Sequence, residues 1–284
     1  MLNRNAPRVA ALLAPACLVA TLAFVPAAML LAQDAKQPRR DQVAGAKKDA
    51  NLTSQLDEPI RLAQKAREKF RTIQDYSCML VKRERVGGQM LPMEFIQMKT
   101  RNRPFGIYMK WQQPYDGREA IFAEGQYSGK LMVHSTGVEK VVGGTVALDP
   151  RGEMAMENSR HAITEAGLGN LIEQLNTRWE AERRLGQSQA EIRDNAKVDN
   201  RVCWCVKMVH PNDPRHYTYY RARVFFDKET SLPIRFEAYD WPRRGGAADG
   251  DLVEEYTYRD LKFNVSLSSA DFSTDNPKYN FGRL

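Results

Sequence analysis

Histidine, cysteine and carboxylate side chains carry most catalytic and metal chemistry, and this chain offers few arrangements of them. The histidines are His134, His161, His210 and His216. Only His210-Pro-Asn-Asp-Pro-Arg-His216 is a local cluster, with Asp213 between the two imidazoles. These are metal-ligand types, and the cluster is one place for a hydrolase centre. Its two prolines and Asn212-Asp213 are equally the residues of an ordinary strand-to-strand loop. Cys78 beside a histidine is a second hydrolase arrangement, although a cysteine on a strand is more often structural. Ser159-Arg160-His161 precedes a helix, and no Gly-x-Ser-x-Gly elbow occurs in the chain. Glu94, Glu119 and Glu237 stand among lysines and arginines on strands, where cross-strand ion pairing accounts for them. Glu254 and Glu255 are adjacent on a strand and so face opposite sides. No spacing selects a carboxyl pair for glycoside hydrolysis, and no Gly-rich phosphate loop precedes a helix. The expectation is a non-enzymatic binding protein without metal or cofactor.

The elements that position these residues are mostly strands. Tyr219–Trp241 reads as strand, tight turn and strand. Tyr220, Ala222, Val224 and Phe226 share one face of the first strand, and Ile234, Phe236 and Ala238 share one face of the second. Arg221, Arg223, Arg235 and Glu237 take the other faces. Period-two alternation of this kind marks an antiparallel sheet with one buried face. Further strands are expected at 76–85, 90–100, 105–111, 119–124, 130–134, 190–196, 201–210 and 252–263, with a short pair about Gly143-Gly144. One helix is expected from a cap at Asp57, with Pro59 in its first turn and Ile60, Ala63, Ala66, Phe70 and Ile73 as its apolar stripe. A second, capped by Thr164, carries Leu168, Leu171, Ile172, Leu175 and Trp179. This order predicts an α+β fold, a strongly curved antiparallel half-barrel closed by helices.

Residues 1–32 carry Arg4 and Arg8 ahead of a long apolar run, the pattern of a signal peptide, or of an anchor if it is not cleaved. Residues 33–55 are polar and read as a flexible linker, which leaves 56–284 as one domain. The expected location is the periplasm or another exported compartment, peripheral to the membrane unless the first segment is retained. The net charge of +7 includes Arg4 and Arg8 of the first segment; the Lys and Arg beyond it alternate with apolar residues along strands instead of clustering, and no nucleic-acid motif accompanies them. In an exported protein Cys78, Cys203 and Cys205 are disulfide candidates, Cys78 with one of the other two. Methionines and aromatics are dense on the early strands. Met79, Met93, Phe95, Met109, Trp111, Phe122 and Met132, with Val224, Phe226, Ile234 and Phe236, are the candidates for a core or for an apolar cavity that adapts to acyl chains.

Several short motifs resemble known exported families. Arg103-Pro104-Phe105, the aromatic strand Tyr108–Gln113 before Pro114, and Glu119–Glu124 before Gly125 are similar to the periplasmic lipoprotein carrier LolA. Ala270-Asp271-Phe272 and Asn276-Pro277 resemble its closing segment. Tyr76-Ser77-Cys78, Val81-Lys82-Arg83-Glu84, Gly117-Arg118-Glu119-Ala120, Ser159-Arg160-His161 and Leu232–Glu237 with Tyr239–Pro242 are more similar still to an exported bacterial family, domain of unknown function 1571. The resemblance implies export and a carrier-like half-barrel. The expected ligand is a lipid, an acylated protein or another amphiphile. The alternative is an envelope sensor or scaffold that binds a partner protein through the sheet.

Overall fold

The structure, a computed structural model, describes residues 40–135, 144–211, 213 and 215–282, with side chains from residue 55 onward. The expected signal segment 1–32 lies outside the described residues. The first described element is α1, Arg40–Phe70, so part of the expected linker is helical and Pro59 lies inside the helix. Its residues before Asp57 include the good helix formers Ala, Lys and Gln. From Leu56 onward, Leu56, Ile60, Ala63 and Ala66 are buried on one face.

Seven strands follow: β1 (Asp75–Val86), β2 (Gln89–Met90), β3 (Glu94–Asn102), β4 (Phe105–Gln113), β5 (Glu119–Ala123), β6 (Leu131–Ser135) and β7 (Gly144–Leu148). A short helix α2 (Glu153–Met156), a 3-10 turn (Ile163–Glu165) and α3 (Leu168–Leu185) form the middle. The chain returns as β8 (Gln189–Val198), β9 (Arg201–Val209), β10 (Arg221–Asp227), β11 (Pro233–Tyr239) and β12 (Leu252–Phe263). The strands make one antiparallel sheet in the order β7-β6-β5-β4-β3-β1-β12-β11-β10-β9-β8, with β2 paired to β1. The last strand thus closes against the first, and the two halves of the chain form the two wings. Val146 on β7 and Phe236 on β11 line one cavity although six strands stand between them, so the sheet is strongly curved. The fold is α+β, with the helices on the concave face.

The helices are held there by close contacts. Ala63 and Ala66 let α1 approach α3, and the buried Asn176 amide donates to the Ala63 and Ile172 carbonyls at 2.9 and 2.8 Å. Trp179 meets Phe226 with ring centroids 6.1 Å apart. The start of α3 depends on Gly167, which has φ 99°. A Cβ there would lie 2.8 Å from the Tyr76 hydroxyl, and that hydroxyl accepts the Leu168 amide at 2.8 Å. Tyr76 therefore caps α3 from β1, while Thr164, the expected cap, sits in the preceding 3-10 turn.

The convex face is covered differently on each wing. On β4–β6 the C-terminal tail packs Phe272 and Phe281 against Tyr108, Ile121 and Met132. Gly106 leaves room for the Phe272 ring, whose nearest carbon would be 3.1 Å from a Cβ. Buried Glu119 anchors the tail by accepting the Asn280 backbone and side-chain amides, both at 3.0 Å. On β10–β12 Arg235 meets Glu237 of its own strand at 2.8 Å, and the expected cross-strand ion pairing is made by Arg235 with Glu255 and by Arg223 with Glu237 at 3.6 Å.

Two expectations are corrected on this wing. Cys78, Cys203 and Cys205 are free and buried. Strands β12, β11 and β10 stand between β1 and β9, and Cys78 belongs to the concave core while Cys203 and Cys205 cluster with Phe225 on the convex side. A disulfide needs Cα atoms within about 7 Å, which this separation denies. Burial pushes the Cys203 and Cys205 thiols up to about 11 and the Cys78 thiol further. Ile234 also joins the convex cluster, because the bulge between Phe225 and Phe226 pairs Phe226 with Pro233 and turns Ile234 away from Phe236.

Gly167→Ala is expected to cost about 1–3 kcal/mol in urea denaturation through the positive φ and the Tyr76 contact. An unchanged midpoint contradicts the capping role of Tyr76. Peptide-resolved alkylation should leave Cys78, Cys203 and Cys205 unmodified in the folded protein and modify all three in denaturant; oxidised pairs recovered from either sample contradict the separation.

Candidate functional site

A cavity of about 890 Å³ lies between the concave sheet face and the segment from Met154 to Arg178. Strand register grades its floor. On β1, Leu80, Lys82 and Glu84 point inward in succession. Leu80 pairs with Ile96 on β3 and Tyr258 on β12, Lys82 with Glu94 and Tyr256, and Glu84 with Glu254. Along one strand the floor thus changes from apolar to charged. The β4–β7 wing continues the apolar part, with Met109 opposite Ala120, Ala120 opposite Val133 and Val133 opposite Val146. Ile163, Leu171 and Leu175 form the roof.

The polar end is connected throughout. Glu84, Glu94 and Glu254 are buried. Glu254 Oε2 accepts the Arg160 Nε–H at 2.8 Å and lies 2.9 Å from His161 Nε2, while its Oε1 accepts the Tyr219 hydroxyl at 2.6 Å. Glu84 Oε2 accepts the Arg160 backbone amide at 3.0 Å and lies 3.3 Å from Lys82 Nζ; its other oxygen accepts the Tyr256 hydroxyl. Glu94 Oε2 accepts the Trp111 indole N–H at 2.6 Å, and its Oε1 lies 3.7 Å from Lys82 Nζ. The Ser159-Arg160-His161 and Val81–Glu84 motifs therefore meet here, one on the roof and one on the floor.

The electrostatics follow from these contacts. The hydrogen bond to Glu254 raises His161 above the usual histidine value, against burial. Burial favours the neutral acid at Glu254, but His161, Tyr219 and Arg160 together hold its carboxyl below the usual glutamate value. Burial, reinforced by Glu254 and Glu84, drives the Tyr256 hydroxyl well above its ordinary value, so it stays a donor.

Of the residues expected at the site, Met109, Trp111 and Phe236 line the cavity. Val224 and Phe226 are buried in the concave core, and Phe122 packs against that core beside Phe105. Met132 is buried under the tail, Met93 is exposed, and Met79 and Phe95 are half-buried on the face opposite Leu80 and Ile96. The periodicity argument missed Lys82, Glu84, Glu254, His161, Tyr219 and Tyr256. A signal existed on β1, where Tyr76, Cys78, Leu80, Lys82 and Glu84 share one face and the charges sit on its apolar side.

The His210–His216 cluster does not form one centre. His210 Nδ1 lies 2.7 Å from the Tyr219 carbonyl and its Nε2 lies 3.1 Å from Glu182, which ties α3 to the strand end. Exposed His216 pairs with Asp213 at 2.8 Å, and that hydrogen bond, with Arg215, holds Asp213 down to about 2. Among the described residues no group of three or more His, Cys, Asp and Glu is placed to hold a metal ion.

A sheet, roof and cavity of this kind define an α+β protein built around a concave site. The chain belongs to the family of proteins of unknown function DUF1571, whose model matches residues 73–281. No curated protein matches it. Among solved structures it is similar to the Mycobacterium tuberculosis lipoprotein LppX, at 11% identity and a TM-score of 0.43, over 74% of this chain and 97% of that one. It is similar to a putative outer membrane lipoprotein-sorting protein domain from Vibrio parahaemolyticus, at 13% identity and a TM-score of 0.36, over 77% and 97%. It is also similar to a LolA superfamily protein from Nitrosomonas europaea, at 13% identity and a TM-score of 0.32, over 76% and 97%.

The raised His161 stabilises the fold fully below about pH 6.5, and this is lost as pH rises through its folded value; the lowered Glu254 stabilises it above about pH 4.3, and this is lost as pH falls through its folded value. The pair contributes most between these limits. His161→Gln is therefore expected to lower stability more near the middle of that window than in alkali. An equal loss at both, measured by denaturation, contradicts the pairing.

Proposed function

We propose that this protein is an exported, non-enzymatic binding protein that holds an amphiphile, a lipid or an acyl chain attached to a protein, in the concave cavity. The observation that carries the reading is the cavity itself, about 890 Å³ with one apolar wing. Folded interiors close nearly all gaps larger than a water molecule, and ligand sites occupy about 300–1,000 Å³. A space at the upper end of that range, roofed by a helix and walled by Met109, Ala120, Val133 and Val146, fits an apolar chain. Binding is favoured over catalysis because every oxygen of Glu84 and Glu254 already accepts at least one protein donor, which leaves single lone-pair sites and no wholly unengaged oxygen on either carboxylate. Export rests on the composition of residues 1–32. No helix among the described residues is long and apolar enough to cross a membrane.

Titration with N-phenyl-1-naphthylamine tests this. The wild type is expected to bind the dye saturably, and Val133→Trp, which places an indole in the apolar wing, to lose at least about tenfold in affinity with its urea midpoint retained. No saturable binding, or equal binding by the folded variant, contradicts the proposal.

A further inference from the structure

The polar end of the cavity has a composition that narrows the ligand. Glu84, Glu94 and Glu254 are faced by Lys82, Arg160 and His161. Three carboxylates thus meet three cationic side chains, one of them a histidine; elsewhere in the cavity lining Arg118 and Arg178 are matched in number by Glu157 and Glu165, so over the whole site no positive charge is in surplus. The acids are also the more deeply placed, with side chains 2–5% exposed, against 13% for Lys82, 29% for Arg160 and 32% for His161. An incoming phosphate or carboxylate would lose its water against buried like charges, which is costly.

Acceptor capacity, in contrast, is left over. A carboxylate oxygen has two lone-pair sites. Glu94 Oε1 has Lys82 as its near cation at 3.7 Å, beyond the charge-assisted range of about 2.7–2.9 Å. Glu254 Oε1 accepts from Tyr219 and has a second site. Lys82 Nζ, which lines the same space, reaches Glu84 at 3.3 Å, Ser159 Oγ at 3.5 Å and Glu94 at 3.7 Å, three long contacts and no short one. The floor register sets these groups directly beyond the apolar pair Leu80 and Ile96. A ligand whose chain follows the β4–β7 wing therefore brings its head to this end.

We propose that the polar end is a head-group subsite for a non-anionic, hydrogen-bond-donating head, hydroxyls or an amine, on a single-chain or multi-chain amphiphile. Its donors go to Glu94 Oε1 and Glu254 Oε1, and a hydroxyl oxygen accepts from Lys82. Trp111, whose indole N–H is fixed by Glu94, forms the boundary between head and chain. The inference rests on the amphiphile reading above and adds the sign and polarity of the head.

The test is displacement of N-phenyl-1-naphthylamine from the wild-type protein near neutral pH by three ligands with the same dodecyl-length chain: monolauroylglycerol, dodecylamine and dodecyl phosphate. The expected result is that monolauroylglycerol or dodecylamine displaces the dye at a concentration at least about tenfold lower than dodecyl phosphate does, and that Glu94→Gln, checked for folding by its urea midpoint, narrows the gap. Dodecyl phosphate binding as tightly as, or tighter than, both others overturns the head-group subsite while leaving amphiphile binding intact. Failure of all three ligands and of the dye to bind overturns both. The ranking on the wild type decides even if Glu94→Gln does not fold.

Discussion

The buried Glu254 carboxylate is the contact on which the arrangement of this molecule turns. It lies on β12, at the centre of the sheet, and is bonded by Tyr219 from the strand side and by Arg160 and His161 from the roof. An ionised carboxylate in such a place is tolerated only with good partners, and losing one leaves a penalty of about 3–5 kcal/mol. The roof is thus fixed at a definite height by charged side chains that span the gap. Glu84 repeats the connection by accepting the Arg160 backbone amide. Purely apolar surfaces would close on each other. Here the polar contacts hold the 154–178 segment over a floor whose other half is apolar, and a space persists between them.

The rest of the fold supports this spacing. Tyr76 on β1 fixes where α3 begins, and Asn176 locks α3 to α1, so the roof has rigid ends. The convex side is covered independently, by the tail over β4–β6 and by the Arg235 ion pairs over β10–β12. The concave face therefore does not need to carry the whole hydrophobic core, and part of its area is left for the cavity.

Much of the sheet was legible in the sequence because alternation is local. The Tyr219–Trp241 hairpin, the apolar stripes of the two helices, the opposite facing of Glu254 and Glu255, and the ion-paired role of Arg235 and Glu237 all follow from period and residue type. The polar end was not legible, because its members come from β1, β3, the roof, the segment before β10, and β12. They meet only because β12 pairs with β1, and no local pattern announces that pairing. Ile234 escaped because a bulge, invisible to simple alternation, reverses one side chain. The disulfide expectation failed for the same reason as the polar end was missed: it depended on which strands are neighbours. Methionine density does not distinguish the two faces of a sheet, and Met109 lines the cavity while Met132 lies beneath the tail.

The central claim is that the cavity holds an amphiphile in the producing cell. Native mass spectrometry of the full chain, purified from its producing cell without detergent, addresses this directly. The account predicts a discrete adduct that releases into organic solvent as a lipid or acylated species. A protein that flies only at its bare polypeptide mass, and stays so after incubation with lipid extract from the same cells, would contradict it.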